Sequence, residues 1–173
     1  MKMTGEQRIA VSLLRAWEAL NDLDVLKYCM PGCQSLERES EERIAATLAM
    51  KVGPIGARFI GTITLLDVEP PHAYTMTWEG QGGTAGMVNG SARVRLADEG
   101  DGTLLTYEVA VRIGGRLAQL GGPIIDASAK QFASTFFKRL GERVVGSAAA
   151  TTAPSAPEPV PQLQSGQPAG EDQ

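Results

Sequence analysis

The chain has 173 residues, a formal net charge of −4, 43% hydrophobic residues and 21% charged residues. That length suits one ordinary domain, and that apolar fraction is enough for a packed core. It offers no basic field for nucleic acid, and no apolar run of about 18 residues that would span a bilayer.

The opening stretch MKMTGEQRIAV lacks the apolar segment of a signal peptide, so a cytosolic protein is expected. Residues 2–11 alternate and read as a strand, with Ile9 and Val11 on one face. Residues 12–21 read as a helix that Ser12 caps, with Leu13, Trp17 and Leu20 along one side. A second short helix over 22–29 starts at Asp22 and is ended by Pro31-Gly32. Cys29 and Cys33 stand four apart and His72 is the only histidine, a set that reads as reduced thiols rather than metal ligands.

A long β region follows. Ile44, Ala46, Leu48, Met50 and Val52 take every even position of residues 44–52. Gly53-Pro54 marks a turn, and residues 57–69 alternate through Phe59, Ile63 and Leu65. Pro70-Pro71 breaks that run. Residues 73–79 set Tyr74, Met76 and Trp78 against Thr75 and Thr77. Residues 87–97 set Ala92, Val94 and Leu96 against Arg93 and Arg95. After a loop at 98–102, residues 103–113 align Leu105, Tyr107, Val109, Val111 and Ile113. Short turns between successive strands imply a largely antiparallel sheet.

The period then changes. Leu117, Leu120, Ile124, Ala127, Gln131 or Phe132, Thr135 or Phe136, Leu140 and Val144 are spaced for a helix of roughly seven turns. Pro123 predicts a break near Gly121-Gly122-Pro123, and Arg139 and Arg143 suit a helix C-terminus. From residue 147 to 173 there is no aromatic residue, Lys or Arg, and five of the ten prolines fall there. That stretch is expected to be a disordered Pro/Ala-rich tail behind a domain at 1–146. Without its three acids the domain is nearly neutral.

The element order predicts an α+β helix-grip fold: a curved antiparallel β-sheet packed on a long C-terminal helix, with two short helices after the first strand. One helix over so wide a sheet leaves room for a cavity, and such cavities are the usual ligand sites.

Gly80-Gln81-Gly82-Gly83-Thr84-Ala85 matches the dinucleotide pattern G-x-G-x-x-A, but a strand rather than a helix follows it. It reads as a glycine hairpin and a candidate portal lip. No H-E-x-x-H, G-x-S-x-G or P-loop lysine occurs. Asp126 and Glu108 are the acids to weigh as a hidden general base.

The expected ligand-binding set comes from the sheet and from the long helix. The sheet supplies Leu48, Met50, Phe59, Ile63, Tyr74, Met76, Trp78, Met87 and Tyr107. The helix supplies Leu117, Leu120, Ile124, Phe132 and Phe136. Any one of them reads equally well as core. Together they suit a large apolar ligand, because Met adapts to irregular shapes and Tyr and Trp add a polar tip.

Several segments carry a family resemblance. They are Pro31-Gly32-Cys33, Val52-Gly53-Pro54-Ile55, Ala57-Arg58-Phe59-Ile60-Gly61, Glu69-Pro70-Pro71 with Tyr74, and the glycine loop through Gly86 and Gly90. Gly102-Thr103 to Tyr107 and the run GGRLAQLGGPIIDASAKQFASTFF from Gly114 to Phe137 complete the series. In this joint order they resemble the CoxG family of carbon monoxide dehydrogenase subunits, over about residues 1–145, within the START-like (SRPBCC) superfamily.

The resemblance implies a non-enzymatic accessory protein of a molybdenum CO dehydrogenase or related molybdenum hydroxylase. It implies a bound quinone, menaquinone or ubiquinone, carried between membrane and enzyme, and a protein that is cytoplasmic or peripheral at the inner membrane face. The rival readings are a docking or maturation factor without a ligand, and an enzyme like the polyketide cyclases and dehydratases of that superfamily. The chain departs from the family in two places. Gly122-Pro123 stands where the family has Arg or Ser, and the Pro/Ala-rich tail leads to no amphipathic segment before Gln173.

Overall fold

The computed structural model describes residues 1–155, with side chains described for 1–145. Strand β1 (Lys2–Ile9) is followed by helices α1 (Leu13–Leu20) and α2 (Leu23–Cys29). Six strands come next: β2 (Cys33–Arg38), β3 (Arg43–Val52), β4 (Ile55–Glu69), β5 (Ala73–Gln81), β6 (Met87–Asp98) and β7 (Thr103–Gly114). A 3-10 segment (Gly115–Leu120) leads into helix α3 (Gly122–Ser155). The helix thus continues beyond residue 146, and the remainder of the expected tail, 156–173, lies outside the described residues.

Local chemistry explains the starts. Ser12 Oγ accepts the Arg15 amide at 3.4 Å, and Asp22 Oδ1 accepts the Asp24 and Val25 amides at 2.9 and 3.4 Å. Both caps satisfy amides that the first helical turn leaves without a partner. Pro123 lies in the first turn of α3 instead of interrupting a helix. There its missing N–H costs nothing, because a first-turn amide has no helical acceptor. The break falls at Gly121, whose φ of +88° favours glycine.

The seven strands form one antiparallel sheet in the order β1-β7-β6-β5-β4-β3-β2, with α3 laid along its apolar face beside α1 and α2. Strand β2 has no one-sided apolar pattern; it holds a single edge position, pairing Leu36 with Ala46. Thr103, fully buried, donates its hydroxyl to the Val11 carbonyl at 2.8 Å and ties β7 to the start of α1.

Two separate apolar clusters hold the sheet to its helices. The larger joins Ile9, Leu20, Val25, Tyr74, Leu96, Leu105, Leu140 and Val144 at the α1–α2 end. The smaller joins Val52, Phe59, Ala85 and Leu117 at the opposite end. Leu140 is 1% exposed. Leu140→Ala should therefore lower the unfolding free energy by about 2–5 kcal/mol. Gln131→Ala, on the solvent side of α3, should change it by less than about 0.5 kcal/mol. Urea denaturation of the two variants checks the contrast.

Candidate functional site

The inward face can be read across the sheet from the strand register. Ala46, Gly61, Gly80 and Val88 form one cross-strand row. Ile44, Ile63, Trp78 and Gly90 form the next, and Met76 pairs with Ala92 beyond it. The centre of the face therefore carries Ala46, Gly61, Gly80, Gly90 and Ala92, which contribute almost no side-chain volume. Larger residues stand around this floor.

Glycine also sets how the aromatic rings lie. A Cβ on Gly90 would stand 2.7 Å from Trp78 Cε2, and one on Gly82 would stand 2.5 Å from Phe59 Cε1. A Cβ on Gly5 would meet the Tyr107 ring, 2.5 Å from Cζ. Each ring lies down on a neighbouring glycine instead of standing up from the sheet. Gly61 is required for another reason: a Cβ there would run into the Glu79 carbonyl. Gly80 differs. Its Cβ would meet only Val88 O at 3.5 Å and Phe59 Cβ at 3.9 Å, which is ordinary contact.

The expected ligand set divides three ways. Tyr74, Met76, Tyr107 and Phe136 pack into or against the larger cluster. Phe59 and Leu117 belong to the smaller one, with Met50 and Leu120 packed on it. Leu48, Ile63 and Trp78 on the sheet and Phe132 on α3 are half-buried and lie in neither. On the sheet, Leu48, Ile63 and Trp78 stand beside the glycine–alanine rows.

Two expected residues face elsewhere. Met87 falls on the outer face of β6, opposite Gly114, because side chains alternate and Val88 takes the inward position. Ile124 is 40% exposed at the sheet end, against the Gly53 turn. Helix α3 restarts after Gly121, and the new phase turns Ile125, Ala129 and Phe132 toward the sheet in place of Ile124 and Ala127. Sequence reasoning placed Ala46 and Ala92 on this face but missed its glycines. Their signal was present: Gly61 lies between Phe59 and Ile63, and Gly80 follows Trp78 by two, each at an inward position.

The site is electrically quiet. No inward position from Ile44 to Leu65, Tyr74 to Gly80, Val88 to Leu96 or Leu105 to Ile113 carries a charged side chain. Asp126 is exposed, and Glu108 faces outward opposite Arg93. The described residues contain no group of three side chains able to hold a metal ion. Tyr74 is 7% exposed and packs edge-on against Trp17, with ring centroids 5.7 Å apart. Burial pushes its phenol well above the ordinary range. Tyr107 stacks on Phe137 at 5.4 Å.

The glycine loops gather at one end. Gly83–Ala85 is a single 3-10 turn, and a Cβ on Gly115 would stand 2.6 Å from Gly86 Cα, so the two connections touch backbone to backbone. Two surface depressions lie outside the grip. One, of about 240 Å³, includes Thr4, Arg93, Arg95 and Tyr107; the other, of about 350 Å³, runs along Gln131, Thr135, Lys138 and Glu142. No helix of the described residues is long and apolar enough to cross a membrane.

Both cysteines are free thiols. Burial pushes the Cys29 thiol up from 9.0 to about 11, against a smaller opposing pull from Arg143 and Arg139. The unfolded chain thus loses this proton near pH 9 while the folded chain holds it. Stability is expected to be flat through neutral pH and to fall as pH rises from 9 to about 11. Urea midpoints across that range check this, and Cys29→Ala should flatten the slope.

Known proteins share this architecture. A conserved protein from Geobacillus kaustophilus has a crystal structure that matches with a TM-score of 0.81 and 28% identity, over 85% of this chain and 97% of that one. A Thermus thermophilus protein matches at 0.65 and 16%, over 86% and 99%. A Mycobacterium smegmatis protein matches at 0.63 and 15%, over 84% and 92%. The last two show the helix-grip fold alone. No curated protein sequence matches the chain significantly. The family model for the carbon monoxide dehydrogenase subunit known as CoxG matches residues 5–145. With its seven-stranded grip and START-like neighbours, the chain belongs to the CoxG family of carbon monoxide dehydrogenase subunits, a family of accessory proteins.

Proposed function

We propose that this protein is a carrier for a neutral, apolar quinone, menaquinone or ubiquinone, serving a molybdenum-containing CO dehydrogenase or related hydroxylase. The supporting observation is the floor of Ala46, Gly61, Gly80, Gly90 and Ala92 under half-buried Leu48, Ile63, Trp78 and Phe132. A face built only for packing would fill that centre with side chains, because protein interiors are close-packed. Small residues there leave space, and large apolar residues at its border give that space its affinity.

The absence of inward charge supports a neutral ligand over a fatty acid or phospholipid, whose anionic group would lose its hydration without a partner. An isoprenoid chain gains about 0.8 kcal/mol for each CH₂ it buries. That offsets its loss of membrane partitioning, so the protein can take the ligand from a membrane surface by transient contact and deliver it to the enzyme. The chain's own contribution is binding and shielding. Membership of an accessory-protein family supports carriage as the role.

Gly80→Val is the sharpest test. The site accepts a Cβ, so the variant should melt within a few degrees of the wild type while its side chain fills the floor. Quinone recovered by solvent extraction of the purified protein should fall at least tenfold. Gly56→Val, on the outer face where a Cβ meets nothing within 4 Å, should retain the wild-type yield. Undiminished quinone in Gly80→Val, or no quinone in wild type purified under either oxidising or reducing conditions, would overturn the carrier reading in favour of a docking module with a closed grip.

A further inference from the structure

The polar groups on the inward face say more about the ligand than its apolar walls do. Among the described residues only one buried side-chain nitrogen or oxygen lacks a hydrogen-bond partner, Asn89 Oδ1. Asn89 lies on the outer side of β6, beside Glu79 and Arg112. Trp78 Nε1 has no hydrogen-bond partner among the described residues either, yet it is not one of the sealed atoms. It therefore keeps some exposure to solvent. That exposure is on the inward side, because Trp78 alternates with Thr77 and Glu79 and its ring lies on Gly90.

An indole N–H is a donor and cannot accept. A ligand that displaces water from it without supplying an acceptor loses free energy, so one that brings an acceptor is favoured. The ring is held flat by the missing Cβ of Gly90, which fixes where the N–H stands. Its neighbours across the sheet, Ile63 and Gly90, bring no competing side-chain acceptor.

We propose that Trp78 reads the ligand: its N–H donates to a carbonyl or ether oxygen on a flat, uncharged ring system that lies over Gly80, beside the indole. This rests on the carrier reading and sharpens it, since it selects an oxygenated ring over a plain hydrocarbon and over an anion. Trp78 is the specificity-determining residue, and the aliphatic walls supply affinity without discrimination.

A matched pair of probes tests it. Menadione and 2-methylnaphthalene share a skeleton and differ in the two carbonyl oxygens, and octanoate supplies the anion. Calorimetric titration of the whole chain should show menadione binding about tenfold more tightly than 2-methylnaphthalene, as one added hydrogen bond in a desolvated site implies. Octanoate should bind more weakly than either. Trp78→Phe should cost menadione that same factor and leave 2-methylnaphthalene unchanged, which a merely structural role for the indole would not do. In Trp17→Phe, whose one remaining tryptophan is Trp78, menadione should quench the fluorescence at the concentrations that titrate calorimetrically. Equal affinity for the two probes, equal losses in Trp78→Phe, or no quenching on binding would overturn the inference and leave the apolar site standing. Binding of neither probe would overturn the carrier reading as well.

Discussion

A single helix must cover the apolar face of a seven-stranded sheet, and the rest of the structure answers to that mismatch. A helix with side chains is about 10–12 Å across, while strands are spaced about 4.8 Å apart. Helix α3 therefore cannot reach every strand, and the sheet must curl toward it. Contact is made well at two places. Near α1 and α2, Leu140 and Val144 join Leu96, Leu105 and Ile9. At the far end Leu117, carried on the 3-10 segment rather than on α3, closes over Val52 and Phe59. Leu48, Ile63, Trp78 and Phe132 belong to neither contact and stay half-buried.

Glycine distribution decides what that middle ground is like. Three aromatic rings lie on glycines of neighbouring strands or loops, and Gly61 pairs with Gly80 on the adjacent strand with no side chain from either. The strands lose some intrinsic stability by holding glycine in their interiors. The long ladders and the α1–α2 core offset that loss. What results is a flat, uncharged floor with an indole N–H at its border. Burial keeps Cys29 and Tyr74 silent near neutral pH, since it pushes both upward.

Surface charge does little for the fold. Arg8 pairs with Glu99 and Asp101, and Arg93 with Glu69 at 3.3 Å, all with exposed or partly exposed partners. Such pairs contribute about 0–1 kcal/mol each. Packing at the two ends carries the stability.

Most of the architecture was legible in the chain. The alternation in β3, β5, β6 and β7, the caps at Ser12 and Asp22, and the helical spacing from Phe132 to Val144 all follow from local periodicity, which is a property of neighbouring residues. Which residues would be candidates for the inward face was also legible, because strand alternation assigns faces. The tertiary structure decided three things that no local pattern encodes. It set the phase of α3 beyond the break that Gly121-Gly122-Pro123 predicts, so that Ile125 replaced Ile124 on the inward side. It turned Met87 outward through the β6–β7 register. And it sorted the apolar residues by burial: Tyr74, Phe59 and Leu117 are as apolar in sequence as Leu48, Ile63 and Phe132, yet the first three are buried and the last three half-buried. Hydrophobicity belongs to a residue, but burial belongs to several strands at once, because it depends on which residues of β3, β4, β5 and β6 come into the same rows.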